Sequence, residues 1–144
     1  MNGKTLLILV IITVFSTVMC YAQQPILGIW IIDSESVGSY LDPDEKVRLG
    51  NLPIDKRQKL LDEMASREFT FLEDGGFRAR WKFGGKIMKL EGNWALEAGK
   101  LTISVNGHPK YYSVEELVKD KLILVPESKN GIAQKLLFTK KTAP

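Results

Sequence analysis

From Arg67 to the C-terminus apolar residues fall on every second position, and turn-forming pairs interrupt them at nearly regular spacing. This switch of period constrains the chain more than any other feature, because short alternating segments joined by tight turns build antiparallel sheet. Phe69 and Phe71 alternate with Glu68 and Thr70, and Asp74-Gly75-Gly76 supplies a hairpin turn. Phe77, Ala79, Trp81 and Phe83 return on one face, with Arg78, Arg80 and Lys82 on the other. Gly84-Gly85 leads into Met88, Leu90, Trp94 and Leu96, a parity interrupted by Gly92, where a missing side chain permits a bend or bulge. Ala98-Gly99-Lys100, Asn106-Gly107 and Lys119-Asp120 then separate Leu101, Ile103 and Val105 from Tyr112 and Val114, and these from "KLILVPE" and "QKLLFTK".

Upstream the pattern differs. "GIWIID" reads as one strand, and helix punctuation follows between Ser34 and Ser66. Asp42-Pro43-Asp44-Glu45 offers a capping residue, proline at the first helical position and a glutamate three residues past the cap, with Gly50 to end a helix of about two turns. Pro53 starts a second helix through "IDKRQKLLDEMAS", in which Ile54, Leu61 and Met64 lie along one side and Leu60 widens the stripe. A helix that short is marginal alone in water, so docking of this stripe onto the rest of the domain is expected to hold it.

One strand before the helices and roughly seven after them make about eight. The expected fold is therefore mainly β: an antiparallel up-and-down barrel with a two-helix insertion, about residues 42–66, after the first strand. A two-sheet sandwich is the alternative. Short hairpin connections favour sequential neighbours over Greek-key crossings.

The first 22 residues read as a signal peptide. Lys4 gives the positive start, a run of about 14 mainly apolar residues follows from Leu6 to Met19, and Cys20-Tyr21-Ala22 places small residues before a cut after Ala22. That run is shorter than the roughly 20 residues of a membrane-spanning helix, so no stable membrane span is expected. An exported product, periplasmic or extracellular, follows, with lipid anchoring at Cys20 as the alternative, although Met19 suits a lipoprotein cleavage site poorly. Residues 23–144 then form one domain without cysteine, so no disulfide supports the core. The full chain's net charge of +3 falls by one with Lys4, too weak a bias to argue for nucleic acid.

Four segments in order carry a family likeness: "GIW", "FTFLEDGGF", "EGNWALEAGKLTI" and "YYSVEELVKDKLILV". Together they resemble the small lipocalin-like proteins exported by Bacteroidota bacteria, over nearly all of residues 23–144. The resemblance implies that Trp30 packs across the closed end of the barrel and that Gly28 is there for its lack of a Cβ. It implies a similar part for Trp94. In that family an arginine late in the chain often stacks on the tryptophan; here the closing strand offers Lys135 or Lys140 instead.

For Phe69, Phe71, Phe77, Trp81, Trp94 and Tyr112 two readings stand side by side: ordinary core packing, or the lining of a cavity for a small hydrophobic or amphipathic ligand under a helical lid. Arg78, Arg80 and Lys82 read as a solvated face; pointing inward, they would need an acidic head group. No catalytic, metal or cofactor site is expected. His108 is the single histidine and sits in the turn "NGHP". The acidic residues at 42, 44 and 45 suit helix capping, and no nucleophile elbow or phosphate loop is present. The expected function is a non-enzymatic exported protein with a small lipophilic ligand as its partner. The alternative is an envelope interaction module with a filled core, acting through its surface or its helical insertion.

Overall fold

The computed structural model of the protein describes residues 24–128 and 133–142. The expected signal peptide, its cut and Cys20 lie outside the described residues.

Eight strands follow one another in chain order around a closed barrel: β1 (Gly28–Ile32), β2 (Glu68–Phe71), β3 (Gly76–Phe83), β4 (Lys86–Glu97), β5 (Lys100–Val105), β6 (His108–Leu117), β7 (Lys121–Pro126) and β8 (Leu136–Lys140). Helices α1 (Pro43–Gly50) and α2 (Ile54–Ala65) occupy the link between β1 and β2. Every neighbouring pair is antiparallel. The sandwich alternative is excluded by the seam, where Trp30 faces Lys140 and Ile32 faces Phe138.

Tight turns fix this order. The central residues of three two-residue hairpins, Gly84-Gly85, Ala98-Gly99 and Asn106-Gly107, all have positive φ, the type I′ geometry whose twist matches that of the flanking strands. Ala98 is the residue out of place, holding φ 48° with a Cβ.

Alternation then decides what is buried. Directly paired residues share a face, so Trp30, Phe69, Ala79 and Leu90 form one inward row across four strands, and Gly28, Phe71, Phe77 and Gly92 the next. Phe69 meets Phe77 edge-on at 5.1 Å between centroids and Phe138 at 4.9 Å, while Phe71 meets Trp94 edge-on at 5.6 Å. Leu101, Leu122 and Leu124 complete this packing from the opposite strands. Each such side chain contributes about 1.5–3 kcal/mol by leaving water, and edge-on ring pairs add about 0.5–1.5 kcal/mol.

The helical insertion is held by polar bonds as well as by the expected stripe, of which Leu60, Leu61 and Met64 are half-buried. Asp42 caps α1 through a 3.0 Å bond from the Asp44 amide, and Arg57 of α2 donates to the carbonyls of Leu49, Gly50 and Leu52 at the end of α1. No residue of α2 is fully buried, and Ile54, expected in its apolar stripe, is 82% exposed. The C-terminal end of α2 is tied by polar bonds: Ser66 Oγ accepts from the Lys82 amide, and Glu63 from the Gly84 amide. On the other side buried Leu41 bridges to Ala133, and the Gln134 amide donates to Tyr40. The insertion is thus pinned at both flanks of one end of the barrel.

Candidate functional site

The end of the barrel away from the helices is sealed. Trp30 is fully buried, and its indole N–H donates a 2.7 Å bond to the Ile26 carbonyl in the turn Gln24–Ile26. Lys140 Nζ stands 5.2 Å from the Trp30 ring centroid and 3.3 Å from the Pro25 carbonyl oxygen. The place that the resemblance gives to an arginine is thus held by Lys140. Gly28 has φ +118°, and a Cβ there would come within 3.0 Å of Lys140 Cε. The glycine makes room for the lysine stem that crosses the tryptophan.

Trp94 repeats the device. Its indole N–H donates to the Leu72 carbonyl at 2.9 Å, and a Cβ on Gly92 would collide with the Ser104 carbonyl. Gly92 pairs with Phe77 on β3, and the pairing of β4 with β5 begins at Asn93, so the strand bends where it passes between its two partners.

The basic row of β3 faces outward. Arg78 lies 3.5 Å from Glu91, and Arg80 3.9 Å from Glu68; both arginines are more than half exposed. They belong to a solvated cross-strand charge ladder worth little to stability.

At the other end, next to the insertion, the barrel opens into a cleft of about 560 Å³. Its apolar wall includes Ile32, Val37, Met64, Leu136 and Leu137, and its polar groups include Arg67, Tyr112 and Lys110. The volume falls within the roughly 300–1,000 Å³ usual for small-molecule sites. Arg67 shares the parity of inward-facing Phe69 and Phe71, while Tyr112 pairs with buried Leu101. Strands β2 and β6 stand four places apart in a ring of eight, so the two side chains enter from opposite walls.

Burial pushes the Arg67 guanidinium below its ordinary value, with Tyr112 opposing the shift. Burial pushes the Tyr112 phenol up, and the nearby guanidinium pulls it back. Described residues include every Asp and Glu of the chain, and none of them forms an ion pair with Arg67. Lys135 in the same cleft is, by contrast, held by Glu115 at 2.7 Å.

Of the six aromatic residues named from the sequence, Tyr112 lines the cleft. Phe69, Phe71, Phe77 and Trp94 pack together in the filled part of the barrel, and half-buried Trp81 lies opposite Met88 on the β3–β4 hairpin. Arg67 escaped the sequence reading. The signal that would find it is its parity: counting back from Phe71 through Phe69 puts it on the inner face. Among the described residues no group of three or more His, Cys, Asp and Glu is placed to hold a metal ion. His108 is exposed at the start of β6, and no described helix is long and apolar enough to cross a membrane.

No protein-family model matches the chain, and no curated protein matches it. The chain is similar to the solved structure of a lipocalin-like protein from Bacteroides uniformis ATCC 8492, at 20% identity over 54% of this chain and 80% of that one, with a TM-score of 0.45. It is also similar to an uncharacterized protein from Bacteroides eggerthii DSM 20697, at 18% identity over 54% of this chain and 83% of that one, with a TM-score of 0.43.

Proposed function

We propose that the protein is an exported, non-enzymatic binder of a small hydrophobic or amphipathic molecule, held in the cleft between the barrel mouth and the helical insertion. The observation that carries this reading is the cleft itself: about 560 Å³ of space with an apolar wall and a few inward polar groups. The filled aromatic half supplies a rigid base, so the ligand sits above Phe69, Phe71 and Phe77 rather than among them. Export rests on the charged start, apolar run and small residues of positions 1–22.

The test is lipid extraction and mass spectrometry of protein purified from its native host, with titration of the delipidated protein by a lipophilic fluorescent dye. A stoichiometric copurifying amphiphile, and dye binding lost in Val37→Trp, which fills the cleft, support the reading. An unliganded protein whose dye response is the same in both forms overturns it.

A second reading, an interaction module acting through the insertion, is favoured by Ile54 and Val47, which are 82% and 66% exposed on α2 and α1. Under that reading Ile54→Asp abolishes capture of a partner from the cell envelope while leaving dye binding intact.

A further inference from the structure

We infer that the cleft selects amphiphiles with a carboxylate head, which Arg67 and Tyr112 grip between them; this rests on the proposed ligand-binding reading of the same cleft. A cation drawn into the interior of a barrel is costly unless an anion neutralises it. Of the other cations lining the cleft, Lys135 is paired with Glu115, and Lys110, exposed at its rim, is solvated. Among the described residues no carboxylate forms an ion pair with Arg67, although its side chain lines the cleft. The chain therefore leaves a half-buried positive charge facing whatever enters the cleft.

The head group follows from the donors. A guanidinium presents two parallel N–H groups at the spacing of two coplanar oxygens, which suits a carboxylate, and the Tyr112 hydroxyl donates to the same anion from the opposite wall. Neighbouring Ile32, Val37, Met64 and Leu136 offer an unbranched chain a dry surface; Lys110 adds positive charge to the approach, and the one carboxylate of the described lining, Glu127, is paired with Lys100 at 3.2 Å. A neutral lipid with the same tail fits the wall but leaves the guanidinium unsatisfied. Discrimination by head-group charge is the consequence, because a neutral ligand that fills the cleft takes water from the guanidinium and gives it no anion in return.

The experiment compares cis-parinaric acid with parinarol, the alcohol of the same chain, on the full-length mature protein at neutral pH. The acid is expected to bind at least about 10-fold more tightly, and this preference to vanish in Arg67→Gln, where the acid loses its partner and the alcohol no longer strands a cation. Tyr112→Phe should reduce the preference by a smaller factor. Equal binding of acid and alcohol by the wild type overturns carboxylate selection but leaves the lipid cleft standing. A preference that survives in Arg67→Gln overturns the assignment to Arg67. Failure of both probes to bind the wild type removes the ligand-binding reading itself. The wild-type comparison needs no variant, so it decides the matter even if Arg67→Gln folds poorly.

Discussion

Lys140 lies across the indole of Trp30, 5.2 Å from its centroid, because Gly28 directly beside it has no side chain to keep the lysine stem away. The three residues come from the two strands that close the barrel, so one arrangement both seals the floor and locks the seam. Gly28→Ala meets two penalties, a positive φ and a 3.0 Å approach to Lys140 Cε. It is expected to lower unfolding free energy by about 1–3 kcal/mol, measured by urea denaturation. Lys140→Arg should retain stability, whereas Lys140→Ala should cost about 1 kcal/mol from the lost cation–π contact and packing.

At Trp30 the polar atom matters as well as the ring. Trp30→Phe leaves the Ile26 carbonyl without its donor in a fully buried place and opens a gap beside it. A loss of about 2–4 kcal/mol is expected in equilibrium denaturation. A loss below about 0.5 kcal/mol would show that the turn at Gln24–Ile26 adapts freely.

Ala98 offers the opposite opportunity. It holds φ 48° in a turn that favours asparagine or glycine, and the residue is exposed. Ala98→Asn is expected to raise stability by about 1 kcal/mol without touching the cleft, read as a higher midpoint in thermal denaturation. Ligand binding should be identical in the variant.

Tyr112 predicts a dependence on alkaline pH. Its folded pKa is raised by burial, so its contribution to stability is full below the unfolded value of about 10 and is lost as pH rises through the folded value. Arg67, which faces it, has a lowered folded pKa; there the unfolded state binds more protons between the two values, and stability rises with pH in that higher window. Lys110 lines the same cleft. Urea denaturation above about pH 10 should therefore show the wild type losing stability that Tyr112→Phe keeps. Parallel curves for the two proteins would contradict a desolvated phenol at Tyr112.

Much of the fold is legible in local pattern because each hairpin is a local event. Asp74-Gly75, Gly84-Gly85, Ala98-Gly99, Asn106-Gly107 and Lys119-Asp120 all fall between strands, and Pro43 and Gly50 bound α1. The sequence pattern misleads at Ile54, whose spacing with Leu61 marks an apolar stripe although the start of α2 overhangs into solvent. Helix α2 is anchored by half-buried Leu60, Leu61 and Met64 and also by Arg57, Glu63 and Ser66, whose partners lie on other elements and leave no periodic trace. The cleft was hidden for a related reason. Arg67 sits where the period changes, and its relation to Tyr112 depends on barrel closure between residues far apart in the chain. The aromatics were conspicuous in sequence because core packing selects them, and that same packing keeps most of them out of the cleft.

The seam of β1 with β8 has a kinetic implication. Seven of the eight strand pairings join neighbours in the chain, although β1 and β2 are separated by the helices, whereas Trp30 must wait for Lys140. Each hairpin can form as a local event, yet the first strand keeps an open edge until β8 docks on it. Commitment to the native state is thus deferred to the closing of that seam, and a chain with every hairpin made but the seam unformed still presents two bare sheet edges.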